Sequence, residues 1–241
     1  MPDSSEADGK PVYTVVAGPN GSGKSTLVDA LHRDGQVLGP FINPDVIAKA
    51  LPPGTPAPEL AAGKEALMQS AQRIAEGKSF SRESTLTSRE IMRSIETAKA
   101  SGFRVEIRFV AVRDVEESIA RVRQRVANGG HDIPEHVQRR RFDKSIANAG
   151  EAAKVADFMR VYENPLGRGH RPLAEVKASK LVSLAPDRPP WVDRIISGLD
   201  QAKELQALAA RSAAAGREGP ATPQRPQRRS VGRDEVDDLV R

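Results

Sequence analysis

Gly18-Pro-Asn-Gly-Ser-Gly-Lys24-Ser25 follows the β-branched run Val12-Tyr-Thr-Val-Val-Ala17 and leads into Thr26-Leu-Val-Asp-Ala-Leu31. The octapeptide matches G-x-x-x-x-G-K-[ST], and the strand before it and helix after it supply the context the motif needs. Glycines let successive backbone N–H groups turn inward around phosphate oxygens, and the start of the next helix adds the positive end of its dipole. The residues expected to hold a nucleotide are therefore Gly18, Asn20, Gly21, Ser22, Gly23, Lys24, Ser25 and Thr26. Lys24 is expected to reach the outer phosphates, and the Ser25 hydroxyl to ligate Mg²⁺. ATP and Mg²⁺ are the cofactors such a loop implies.

Outward from the loop, short β-branched runs alternate with helical patterns, which is the signature of an α/β fold with a parallel sheet flanked by helices. Strands are expected at 12–17, 41–43, 79–83 and 104–112, and helices at 24–33, 58–76, 88–101, 115–128 and 134–156. Thr87 with Glu90 and Asp114 with Glu117 have capping-box spacing. The domain is expected over residues 11–215, with a disordered lead-in at 1–10 and a disordered Arg/Pro-rich tail at 216–241.

The chain has 241 residues and no cysteine, which excludes disulfide scaffolds, thiolate metal sites and cysteine nucleophiles. Lys plus Arg is 37 against 32 Asp plus Glu, a formal charge of +5. That excess fits an anionic partner without naming it. No apolar run approaches the ~20 residues that span a bilayer. The start is polar and acidic, without a basic n-region or an apolar h-region, and the chain reads as soluble and cytoplasmic.

Two carboxylates stand where substrate chemistry is expected. In Phe41-Ile-Asn-Pro-Asp45 a strand end runs into a Pro-initiated helix, so Asp45 lies at the carboxyl edge of the sheet, placed to take a proton from an acceptor hydroxyl. Position alone equally allows Asp45 to be a helix-start charge. Glu83, before Ser84-Thr85, ends another strand, and one of the two carboxylates orients substrate or Mg²⁺-bound water while the other acts as base. No Walker B strand stands out, since Phe109-Val-Ala-Val-Arg-Asp114 reads as a strand followed by a helix cap.

Residues 121–144 hold six arginines and one lysine against Asp132, Glu135 and Asp143. Two helices meeting at Gly129-Gly130-His131 are expected to form a mobile hairpin, a helical lid whose arginines close over the triphosphate and stabilise the transferring phosphoryl group. Arg121, Arg125 and Arg140 are the candidate clamps, with Arg139 and Arg141 competing. His131 is expected at the hinge or against substrate, because no second ligand at metal spacing accompanies it.

With these residues together, the chain resembles the zeta toxin family of P-loop kinases. The matching features are the Walker A sequence, Asn43-Pro44-Asp45, Glu83-Ser84-Thr85, the arginine-bearing segment from Ile119 to Arg141, and the strand Arg160-Val-Tyr162-Glu-Asn164. The resemblance implies a nucleotide-kinase-like core that transfers the γ-phosphoryl group of ATP to a sugar hydroxyl, the family's substrate being UDP-N-acetylglucosamine. It places Asp45 on the family's catalytic base, Lys24 on its loop lysine, Arg121 on a clamping arginine, and Glu83 and Thr85 on acceptor contacts. Ser84 departs from the family's glycine. The resemblance also implies a protein antitoxin. Two other readings compete with this one: phosphorylation of another small molecule (a nucleoside, nucleotide or free sugar), and a nucleic-acid-binding ATPase. Against the latter, the two Tyr and one Trp do not interleave with the arginines, so no stacking platform is formed.

Overall fold

The computed structural model describes residues 9–36, 38–129 and 132–199. The expectations for the lead-in and the tail lie, except for residues 9 and 10, outside the described residues, as do Gly130 and His131 of the expected hinge.

Strand β1 (Val12–Ala17) is the centre of a sheet ordered β2-β3-β1-β4-β5-β6-β7, with β2 Phe41–Ile42, β3 Phe80–Ser84, β4 Arg104–Ala111, β5 Phe158–Glu163, β6 Arg171–Lys177 and β7 Lys180–Leu184. The first five strands in that order are parallel, and β5-β6-β7 is antiparallel. Side chains alternate along a strand, so the sheet has two different faces. Tyr13, Val15 and Ala17 pack with Ile91 and Ile95 of α4 (Arg89–Ala100), Phe142 and Ile146 of α6 (Glu135–Val155), and Trp191 and Ile195 of α7 (Pro190–Ile196). Val16, Val110 and Tyr162 face the other way and bury Leu27, Val28 and Leu31 of α1 (Lys24–Arg33). Among the described residues no helix is long and apolar enough to cross a membrane.

The chain leaves β1 for the sheet edge at β2, returns to β3, then crosses to β4 on the other side of β1. The carboxyl end of β1 is therefore the topological switch point, where open α/β sheets hold ligands. Helices α2 (Pro44–Ala50) and α3 (Pro58–Ala75) lie between β2 and β3, and α5 (Val115–Ala127) follows β4.

Local chemistry sets the helix starts, in two cases one residue from expectation. The second strand stops at Ile42 because Asn43 is the cap of α2, its Oδ1 accepting from the Asp45 N–H at 2.8 Å, an arrangement worth about 1 kcal/mol. Ser88, not Thr87, caps α4, accepting from the Ile91 N–H at 3.3 Å, because the Thr87 hydroxyl is engaged with that of Thr85 at 2.9 Å. Asp114 caps α5 as expected, accepting from the Glu117 N–H at 2.9 Å. The base of the expected lid is fixed to the loop: the Ser118 hydroxyl donates to the Asn20 carbonyl at 2.5 Å, and Ile119 and Val122 are buried.

Candidate functional site

Gly18 leaves β1 where a Cβ would lie 1.9 Å from the Val110 carbonyl oxygen, so only glycine fits. Gly21 has φ +72, and its Cβ would meet the Ser118 carbonyl at 2.7 Å. Gly23, at φ +88, is the N-cap of α1 and makes no side-chain cap. The first N–H groups of α1 thus face the cleft with no side-chain acceptor. Ser22 Oγ and Asn20 Oδ1 are buried without hydrogen-bond partners. An uncapped helix start, inward-turned glycines and orphaned polar atoms around one loop fit a polyphosphate ligand.

Lys24 is buried; its ammonium donates to the Pro19 carbonyl at 3.1 Å and lies 3.8 Å from Glu83 Oε1. Burial pushes its pKa down, while the Glu83 and Asp45 carboxylates oppose the shift and Arg125 adds to it. Glu83 is the hub of the site. Its Oε2 accepts from the Ser25 hydroxyl at 3.2 Å and from Asn43 Nδ2 at 3.1 Å. A carboxylate tied to the loop hydroxyl fits a divalent cation held by Ser25 with Glu83 behind it. Among the described residues no group of three or more His, Asp or Glu forms a metal cage of its own.

These residues open into a cavity of about 800 Å³ that also takes in Asp45, Thr85, Arg121 and Arg125, together with Leu60, Gly63, Lys64 and Leu67 of α3 and Ser88 and Ile91 of α4. Asp45 is exposed to the cavity in the first turn of α2, and Asn43, not Asp45, is the cap of that helix. Leu86 holds a left-handed φ of +57 while fully buried, its N–H bonded to Ser84 Oγ at 3.0 Å and its carbonyl to Asn148 Nδ2 at 2.8 Å. Strain of this kind is held by its surroundings, and here it turns Thr85 and Thr87 to the cleft.

Of the expected lid arginines, Arg121 and Arg125 reach the cavity. Arg121 Nη2 bonds Glu117 Oε1 at 2.6 Å and the Asn164 carbonyl at 2.7 Å. Arg139 pairs with Glu116 at 2.9 Å on the surface, and Arg140 is exposed on α6 away from the cavity-lining residues. Gly18 and Ser22 are also outside the lining, one wedged in the sheet and the other buried in the loop. His131 lies outside the described residues.

Sequence reasoning quoted Asn164 only as the end of the strand from Arg160 and gave it no role, and it missed His170. Asn164 Nδ2 donates to the Ser22 carbonyl at 3.0 Å, and His170 Nε2 is 3.3 Å from the Gly23 carbonyl. Both come from the end of β5 and the segment after it, more than 140 residues beyond the loop, and the one signal was a polar residue at a strand's carboxyl end. They border a second cavity of about 530 Å³, lined by Leu27, Leu31, Tyr162, Pro165 and His170, which shares Thr26, Arg121 and Asn164 with the first.

Solved structures share this architecture. The PezAT chromosomal toxin–antitoxin system of Streptococcus pneumoniae matches at 14% identity over 91% of this chain and 92% of that one, with a TM-score of 0.57. The AvrRxo1-ORF1:-ORF2 structure with ATP matches at 20% identity over 80% of this chain, with a TM-score of 0.58, and the chain spans 66% of that one. Both likenesses are likenesses of fold, a P-loop NTPase of the nucleotide-kinase type. A Haemophilus influenzae protein named only as uncharacterized is 35% identical over 126 residues, 52% of this chain and 88% of the relative. The AAA domain family matches residues 14–152. That match begins on the strand carrying the loop and ends within α6, so Lys24, Asp45, Glu83 and the α5 arginines all fall inside it, and the chain belongs to this family of P-loop domains.

Proposed function

We propose that the protein is an ATP- and Mg²⁺-dependent phosphotransferase. It moves the γ-phosphoryl group to a hydroxyl of a small acceptor, a UDP-amino sugar such as UDP-N-acetylglucosamine, and acts in the cytoplasm as the toxin of a toxin–antitoxin pair. The observation that carries the reading is Glu83 bonded to the Ser25 hydroxyl beside Lys24, with the exposed Asp45 carboxylate in the same cavity. The toxin–antitoxin part is supported by the likeness to PezAT, and ATP by the loop and by the ATP in the AvrRxo1-ORF1:-ORF2 structure.

Two cavities meet at the loop. Asp45 lines only the first, so the acceptor takes the first and the nucleoside takes the second, against Leu27, Leu31 and Tyr162. Lys24 neutralises the outer phosphates, and Ser25 with Glu83 would hold the Mg²⁺. A cation held there would supply charge neutralisation for the phosphoryl transfer. Asp45 takes the acceptor's hydroxyl proton as the new O–P bond forms and the bond to the β–γ bridging oxygen breaks, with ADP leaving. Arg121 and Arg125 stabilise the charge on the moving group.

Incubation with γ-labelled ATP and a panel of sugars, nucleotides and nucleotide sugars, followed by mass identification of the product, tests the reading. A labelled UDP-N-acetylglucosamine is expected. Transfer of label to none of the panel would contradict the acceptor, and failure to bind ATP would contradict the enzyme.

A further inference from the structure

Arg82 sits beside Glu83 on β3, and because strand side chains alternate, Glu83 turns to the P-loop while Arg82 leaves the sheet toward α3 and α4. It is 5% exposed and lines the first cavity. Its Nη1 reaches Ser70 Oγ at 3.4 Å, its Nε has no acceptor, and its other neighbour is the Tyr13 hydroxyl, whose proton burial holds on. A guanidinium has five donors and a permanent charge, and among the described residues no carboxylate reaches this one.

The contrast with the other buried arginine is direct. Arg108 pairs with the equally buried Glu106 at 2.9 Å. Four carboxylates share Arg82's cavity, and none is its partner: Glu83 is on Lys24, Ser25 and Asn43, Asp45 faces Lys24, Glu90 is on Ser88 at the start of α4, and Glu59 has an interaction of its own, while the charged form of Arg82 is supported by Tyr13 alone. A cation taken out of water without a counter-charge is strongly destabilising, and an unsatisfied buried group of this kind calls for a partner such as a bound anion.

We infer that Arg82 is the anion-recognition group of the acceptor subsite: the acceptor carries an oxyanion, phosphate or carboxylate, that reaches between α3 and α4 while its reacting hydroxyl lies at Asp45. This deepens the phosphotransferase reading and rests on it. The planar fork of arginine matches such oxyanions bidentately, and Lys64 on α3 adds a second cation to the same cavity. Neutral nucleosides and free sugars leave Arg82 unneutralised, whereas nucleotides, sugar phosphates, nucleotide sugars and sugar acids pair it, so the site selects by charge.

The test is a calorimetric titration of inorganic phosphate, and in parallel acetate, into the full chain saturated with Mg²⁺ and a non-hydrolysable ATP analogue. One equivalent of phosphate is expected for wild type and none for Arg82→Met. Arg82→Lys should bind about tenfold more weakly, having charge without the fork. Acetate displacing the phosphate would assign a carboxylate acceptor, and phosphate alone a phosphorylated one. Arg82→Met should also unfold at an unchanged or higher temperature, since an uncompensated buried cation has been replaced by an apolar chain. Equal phosphate binding by wild type and Arg82→Met overturns the inference, as does the absence of binding to wild type. Should Arg82→Met not fold, unchanged affinity in Arg82→Lys does the same. If the nucleotide analogue fails to bind, the phosphotransferase reading falls; phosphate then also fills the loop, and the difference of one equivalent between wild type and Arg82→Met still reports on Arg82.

Discussion

The side-chain amide of Asn164 stands where a Cβ on Gly23 would have to go, 2.1 Å from it, and donates to the Ser22 carbonyl at 3.0 Å. A residue at the end of β5 thus fixes which way the P-loop carbonyls point, and the same residue's backbone carbonyl holds Arg121 at 2.7 Å. Loop and arginine are referenced to one point of the sheet.

Gly23→Ala should therefore abolish nucleotide binding, both because the Cβ collides with Asn164 and because φ +88 strains any L-residue. Adding Asn164→Ala removes the collision and leaves the strain, so the double variant should recover part of the binding. Fluorescent-nucleotide titration of the three variants measures this; a double variant no better than Gly23→Ala would show that the contact is unimportant.

Lys24 gives a pH dependence. Its folded pKa lies below the usual 10.5 because it is buried, with Glu83 and Asp45 opposing the shift. Between the folded and unfolded values the unfolded chain holds more protons, so this group's contribution to stability rises with pH across that window. A triphosphate favours the ammonium and raises its pKa, so binding takes up protons there and affinity falls as pH climbs through the free-state value. Calorimetry in buffers of different ionisation enthalpy should show that uptake. Glu83→Gln removes the leading compensating charge and should shift the affinity loss to lower pH.

The P-loop, its flanking strand and helix, and the carboxylates at strand ends were legible because each is a local pattern of glycine, β-branching and caps. The β6-β7 hairpin was not. Its two-residue turn, Ala178-Ser179, has φ of +46 and +63, the geometry normally announced by Asn-Gly, and two residues that carry no such signal were accepted because the antiparallel pairing around Val176 and Leu181 is buried. What Asn164, His170 and Arg82 do was not legible, for a different reason. Their roles come from neighbours distant in sequence, and a strand arginine between Ser81 and Glu83 reads as surface until both faces of the sheet are covered.

Asp45→Asn should keep ATP affinity at neutral pH, since it removes no contact of the loop and leaves Glu83 as the leading counter-charge of Lys24, and lower kcat by about 10²–10⁴-fold, the range for loss of a positioned base. Single-turnover transfer from labelled ATP separates the two. Near-normal transfer would return Asp45 to being a charge at the start of α2.

The arginines should divide by position. Arg121 and Arg125 line the cavity, and Arg121 is braced by Glu117 and Asn164 on a helix whose base is fixed to the loop through Ser118. Arg140 is exposed on α6, outside the lining. Arg121→Ala should lower kcat by roughly 10³-fold, at the low end for an arginine acting on the transferring group. Arg125→Ala should cost less, being more exposed and solvent-screened, and Arg140→Ala should change nothing. Glu117→Gln leaves the guanidinium in place with one brace fewer, so its effect should be smaller than that of Arg121→Ala and absent in the Arg121→Ala background. Steady-state kinetics of the four single variants and that double decide it. A loss in Arg140→Ala equal to that in Arg121→Ala would mean that the hairpin closes further than its anchored base allows.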